Sequence, residues 1–207
     1  MTPSGPYRSQ MRELMITIAC RVVSAEGLGA LQARRIAQEA GCAVGTLYNI
    51  FGGLDFLIIE ANARTLDHLG RTLVQADRAQ ASGSDGTRLL ALALAYLNFA
   101  TNHTHAWRAV FEHQMAPGAE VPVWYRERQG TLFALVEAIL QPTISDGRAR
   151  SSSARALFAA VHGIVTLALD RKLAEFDCME TEHQVQFVVR AIAAGLAADA
   201  LAANSAA

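Results

Sequence analysis

The run Ile36-Ala37-Gln38-Glu39-Ala40-Gly41-Cys42-Ala43-Val44-Gly45-Thr46-Leu47-Tyr48-Asn49-Ile50-Phe51 holds the side chains best suited to chemistry on a partner. Ile36, Ala37 and Ala40 share one face of a short helix, and Gly41 stands where a left-handed residue would stop it. Leu47, Ile50 and Phe51 repeat the i, i+3, i+4 spacing on a second helix. Between those anchors the outward positions are Val44, Gly45, Thr46, Tyr48 and Asn49, whose short or planar side chains approach phosphates and base edges closely. The pattern reads as a helix-turn-helix, which makes double-stranded DNA the first partner to consider. A helical hairpin in an ordinary α-protein is the plainer alternative.

A second constellation lies further along. Phe99, His103, Trp107, Phe111, Tyr125, Phe133 and His162, with Tyr96, Trp124 and Phe158, hold half of the aromatic and imidazole content of the chain. Apolar walls with a few polar tips are what small-ligand sites need, although aromatics are also the usual large packing units of a core. His103, His105 and His113 do not suggest a metal. Positions i and i+2 of a helix point about 200° apart, and no Cys or carboxylate completes a ligand spacing. His162 sits in an apolar run, where a neutral, hydrogen-bonded imidazole is expected. Cys42, in the turn of the helix pair, reads as a small hydrophobe. No nucleophile motif, phosphate-cradling glycine loop or useful carboxylate pair is present, so neither an enzyme nor a cofactor is expected.

The elements that must position these residues are helical. Apolar residues make up 52% of the 207, alanine dominates, and the five prolines stand outside the periodic runs, which predicts an all-α fold. A first helix is predicted over 9–26, with Leu14, Ile18, Val22 and Ala25 on its inner face and Gly27 as its stop. The helix-turn-helix comes next. A fourth helix starts near Gly53 or Leu54 and ends before Ser82-Gly83-Ser84-Asp85-Gly86. Further helices are predicted over 87–103, 105–115, 122–140 and 152–176, and Thr181-Glu182-His183-Gln184 has the form of a capping box opening a last helix to about 202. The last two are apolar round most of their circumference and must be covered on two sides. A partner subunit supplies the second side most simply, with Val188 and Ile192 on the outward face.

Net charge is −1, unevenly placed. Residues 1–52 hold five Arg and three Glu (+2), against thirteen basic and sixteen acidic residues in 53–207 (−3). The longest apolar run, 156–169, is interrupted by His162 and reads as too short to span a bilayer. Cys20, Cys42 and Cys178 lack CxxC spacing, and no secretory leader opens the chain, so a cytoplasmic protein with reduced thiols is expected.

Over residues 8–60, Ala40, Gly41 and the Gly45-Thr46-Leu47-Tyr48 core make the chain resemble the DNA-binding domain of the TetR family of bacterial transcriptional regulators. Residues 157–173 look like the subgroup named for a Trp-His-Gly motif, with Val161-His162-Gly163 here and the Trp absent. The resemblance implies a helix-turn-helix domain over 1–53 and an effector-binding and dimerisation domain over 54–207, about nine helices in all. It implies that Thr46 and Tyr48 contact phosphate, that Val44, Gly45 and Asn49 face base edges, and that Arg34 and Arg35 reach the groove or backbone. It further implies a repressor that binds a pseudo-palindromic operator as a homodimer through its last two helices and is released by a small, largely apolar effector held near Phe99, His103, Trp107, Phe111, Tyr125, Phe133 and His162. Leu54 stands where similar proteins carry a phosphate-binding lysine, Ile50 where Tyr or His is frequent, and Gln32 is a poor N-cap. Those departures predict weaker phosphate binding, or phosphates gripped by Arg8, Arg12, Arg34 and Arg35. The alternatives are a helical interaction protein with a vestigial DNA head, and a small-molecule enzyme.

Overall fold

The computed structural model describes residues 5–170 and 178–205. In order these form α1 (Gly5–Glu26), a 3₁₀ turn (Leu28–Ala30), α2 (Ala33–Glu39), α3 (Val44–Phe51), α4 (Leu54–Ala79), α5 (Asp85–Asn102), α6 (Thr104–Glu112), α7 (Val123–Leu140), α8 (Gly147–Leu169) and α9 (Cys178–Ser205). No strand occurs among the described residues. The chain divides into two compact units, residues 1–68 with 103–128 and residues 69–102 with 129–207.

In the first unit, α1 packs against α2, α3 and α6. Met15, Ala19, Val22, Ile36, Leu47, Leu57 and Ala109 are wholly buried at the centre of one apolar cluster. The inner face of α1 is Met11, Met15, Ile18 and Val22, joined by Ile16, Ala19 and Val23. Leu14 and Ala25, expected inside, are exposed. The two methionines extend the i, i+4, i+7, i+11 series that Ile18 and Val22 begin, and so turn Leu14 out. Asn62 of α4 is buried among these apolar groups because its Nδ2 donates to the Ala109 carbonyl oxygen of α6 at 2.9 Å.

The second unit is built on α5, which packs against α8 and α9. Leu89, Leu92 and Phe99 of α5, Leu157, Val161 and Val165 of α8 and Val185 and Val189 of α9 form its interior, with Ile139 and Leu140 of α7. Two helix starts differ from the sequence reading. The helix predicted from 152 starts at 147, because the side chain of Asp146 accepts the Ala149 N–H at 2.7 Å and so caps α8 there. Thr181 opens nothing: α9 begins at Cys178, and Thr181 lies within it at 3% exposure. The predicted end of the eighth helix at 176 lies outside the described residues.

The outward faces of α8 and α9 also differ in detail. On α9 they are Phe187, Ala191, Ala194, Gly195, Ala198 and Leu201, while Val188 and Ile192 are half-buried. On α8 Ala156, Ala159 and Leu167 are exposed. By length and composition alone, residues 147–169 and 179–202 are each apolar enough to cross a membrane, contrary to the reading of the run 156–169 taken by itself. Residues 147–155, two alanines among three arginines and three serines, carry the helix back from the run to spanning length.

Candidate nucleic-acid interface and effector site

The helix pair α2 and α3 is joined by a turn whose hydrogen bonds account for the glycine. Gly41 N–H donates to the Gln38 carbonyl at 3.1 Å and Cys42 N–H to the Ala37 carbonyl at 2.9 Å, a Schellman closure with Gly41 at φ 69°. Neither helix has a side-chain cap, at Gln32 or at Ala43. Tertiary anchoring does that work instead: Ile36, Ala37 and Leu47 are fully buried, and Ile50, Phe51, Cys42 and Leu54 pack half-buried on the same cluster.

Fixing those anchors leaves α3 with one open face. Gly45, Tyr48 and Asn49 are exposed, Tyr48 to 50%, and Val44 and Thr46 are half-buried. The five residues expected at DNA thus lie on a single short helix, with a methyl-bearing, a hydroxyl and an amide group available for phosphates and base edges. Arg34 of α2 is exposed. Arg35, expected to reach the groove or backbone, is engaged within the protein: its guanidinium grips the Glu26 carboxylate at 2.8 and 2.5 Å and Glu39 Oε1 at 3.1 Å. The hydrogen bonds from Arg35 are the main reason the Glu26 and Glu39 carboxyls sit below the usual range, and they raise the Arg35 pKa further. Arg21 adds a second pair to Glu39, Arg12 pairs with Glu60 and lies over the Phe51 ring, and Arg8 donates to the Asn49 carbonyl at 3.0 Å.

The residues expected around an effector fall into both units. In the first, Trp107 and Tyr125 are buried, Phe111 and His103 are exposed, and the Trp107 and Phe111 rings meet at 5.3 Å. Burial pushes the Tyr125 phenol up to about 12, partly offset by the neighbouring Asn62 amide. His113 is enclosed, with Nε2 3.7 Å from Asp55 Oδ1. Burial lowers its pKa more than the carboxylate raises it.

In the second unit Phe99 is buried, and Phe133, Phe158 and His162 assemble with Tyr96. Phe158 stacks on His162 at 5.2 Å and meets Phe133 edge-on at 5.3 Å. The Tyr96 hydroxyl lies 2.7 Å from His162 Nδ1, and His162 Nε2 lies 3.4 Å from Thr166 Oγ1. Burial lowers the His162 pKa, so the imidazole is neutral near pH 7, as its apolar surroundings implied. Sequence reasoning missed Thr166 in this chain of polar atoms, though its place four residues after His162 was the available signal. Among the described residues no cluster of His, Cys, Asp or Glu could hold a metal.

The described residues are helical throughout, apart from turns and loops, and their buried anchors leave one exposed face on the second member of a helix-turn-helix. The tetracyclin repressor-like C-terminal domain family matches residues 89–194. Among solved structures, a Rhodococcus sp. RHA1 protein of unknown function is 24% identical, with TM-score 0.73 over 90% of this chain and 95% of that one. A protein described as a putative transcriptional regulator from Pseudomonas aeruginosa PAO1 is 23% identical, with TM-score 0.66 over 92% and 91%. A TetR-family transcriptional regulator from Streptomyces coelicolor is 20% identical, with TM-score 0.60 over 95% and 84%. No curated protein matches in sequence. The chain belongs to the TetR family of transcriptional regulators. The family match does not assign the Trp-His-Gly subgroup.

Proposed function

We propose that the protein is a ligand-responsive repressor that binds a pseudo-palindromic operator as a cytoplasmic homodimer. The observation that carries this reading is the exposed α3 face, Gly45, Tyr48 and Asn49, held rigid by the buried Leu47 beneath it. Thr46 and Tyr48 take phosphates, Val44, Gly45 and Asn49 read bases, and Arg34 reaches the backbone beside the groove. Arg35 instead ties α2 to α1 through Glu26. Residues 1–53 act as the reading head and residues 54–207 as the effector and dimerisation body.

Two heads in one dimer read half-sites about 34–36 Å apart or a helical multiple of that. Footprinting on the protein's own promoter region tests it, and protection of a single unrepeated half-site would sink it. Replacing Thr46 or Tyr48 weakens binding to all duplexes alike, whereas replacing Asn49 changes base preference by about 1–3 kcal/mol.

The second subunit covers the outward faces of α8 and α9. A membrane is the poorer cover, because Arg190 lies at the middle of residues 179–202, where a charge costs about 2.5–3.5 kcal/mol. The effector is small and largely apolar, with one or two polar groups. Phe133 and Phe158 offer it ring faces, and the Tyr96–His162–Thr166 chain offers polar partners. Phe99, His103, Trp107, Phe111 and Tyr125 complete the candidate set by resemblance. A thermal-shift screen of small aromatic compounds, followed by operator release with each hit, tests the pairing of pocket and switch.

A further inference from the structure

The reading head carries five arginines, Arg8, Arg12, Arg21, Arg34 and Arg35, and the structure sorts them. Arg12 pairs with Glu60, Arg21 with Glu39, and Arg35 with Glu26 and Glu39. A cation already balanced by a carboxylate displaces few counterions from DNA unless that pair first breaks. Arg34 is exposed on α2, and Arg8 is exposed on α1 with its Nη2 bonded to a neutral acceptor, the Asn49 carbonyl. That bond places the Arg8 charge on the last turn of α3, beside Asn49 and Tyr48. A guanidinium has five N–H donors, so an anion approaching this end of α3 meets several that the carbonyl does not use.

Resting on the DNA-binding reading above, we infer that Arg8 is a phosphate-binding residue, and that Arg8 and Arg34 together supply the arginine part of the phosphate grip of each head. Arg12, Arg21 and Arg35 hold the head together and release no counterions. Arg8 thereby supplies charge next to a head whose α4 opens with the apolar Leu54. The bond to Asn49 also orients the guanidinium before DNA arrives, since one end is fixed while the other donors face solvent.

The test is the salt dependence of binding to a mixed-sequence duplex of about 30 base pairs, which needs no knowledge of the operator. Each phosphate contact contributes about −0.9 to the slope of log K against log salt. A dimer carries two copies, so Arg8→Gln makes the slope about 1.8 less steep, and Arg34→Gln does the same. Arg8→Lys keeps the slope, because it keeps the charge. Arg21→Gln leaves the slope unchanged even where it lowers thermal stability. An Arg8→Gln protein with the wild-type slope overturns the assignment, and so does one whose affinity falls by an equal factor at every salt concentration, the mark of a residue that only positions α3. Failure of the DNA reading itself looks different: the wild-type protein then shows no salt-dependent duplex binding at all. Arg8 is exposed, so thermal melts of Arg8→Gln should match the wild type and show that any lost affinity is not lost fold.

Discussion

Replacing Phe187 by alanine separates dimerisation from folding. The side chain is 76% exposed on α9 and contributes almost nothing to the interior of its own subunit. Full burial of a phenylalanine contributes about 1.5–3 kcal/mol, so covering the exposed three-quarters contributes about 1–2 kcal/mol per copy. A two-fold interface counts each residue twice, which gives about 2–4 kcal/mol, or a rise of about 30- to 1000-fold in the dimer Kd. The neighbouring exposed Ala191 adds a second arm, because Ala191→Asp buries an unpaired charge when the interface closes. Sedimentation equilibrium reads the Kd, and far-UV circular dichroism at a concentration where both proteins are monomeric reads the fold. Val188→Ala is the contrasting control: half-buried within the subunit, it costs fold stability as well. A Phe187→Ala dimer whose Kd stays within threefold of wild type, or a wild type that never dimerises, refutes the reasoning.

Gly41→Ala forces a Cβ into a left-handed residue at φ 69° with no atom within 4 Å, so the cost is backbone strain alone, about 1–2 kcal/mol. For a chain of this size that lowers Tm by roughly 2–8 °C, and an unchanged melt would show that the turn is not held as described. Asn62→Leu removes one of the two hydrogen bonds to the Ala109 carbonyl, which keeps the His113 N–H at 3.3 Å, and costs about 0.5–1.5 kcal/mol, read as a fall in the urea midpoint at constant m. His113 and His162 both have pKa values lowered mainly by burial, so the folded protein binds fewer protons than the unfolded chain below about pH 6.5. Stability from these groups is therefore complete above about pH 6.5 and falls as pH drops below it. His162→Phe removes part of that fall, and a urea midpoint in this variant with the full wild-type pH dependence would contradict the assignment.

The helix-turn-helix was legible because its signals are local. Ile36, Ala37, Ala40 and Leu47 are spaced for one buried face, and only a residue tolerant of positive φ closes the turn at Gly41. The start of α9 was misread because Thr181-x-x-Gln184 satisfies a local rule while burial of Thr181 at 3% belongs to tertiary packing. Leu14 was misplaced for a related reason. An i, i+4 leucine looks like core until Met11 and Met15, which fill irregular space well, take the inner face. The ion pairs that commit Arg35 and Arg12 join residues nine and forty-eight apart, and nothing in a helical period announces them. Charge counting alone gave the head +2 without saying which arginines carry it.

The size of the proposed switch can be set against the bonds available to it. A tenfold loss of operator affinity requires about 1.4 kcal/mol of coupling, and an effector supplies it only by binding the two states unequally. In the first unit two polar contacts, seven residues apart on one face of α4, tie that helix to α6 and to the segment just beyond α6. Asp55 Oδ2 accepts the Ala116 N–H at 3.1 Å, and Asn62 donates to the Ala109 carbonyl at 2.9 Å. A net hydrogen bond contributes about 0.5–1.5 kcal/mol, so loosening one or both of these is of the magnitude a tenfold response demands. Leu54, which opens the same helix, packs on the cluster that buries Leu47 of the recognition helix. A change in how α4 is held therefore has a short apolar path to α3. On this account Asn62→Leu lowers operator affinity or weakens its response to effector by a factor near ten, beyond its cost in stability. Gel shifts with and without effector check it, and an Asn62→Leu protein with wild-type affinity and wild-type release would place the coupling elsewhere in the chain.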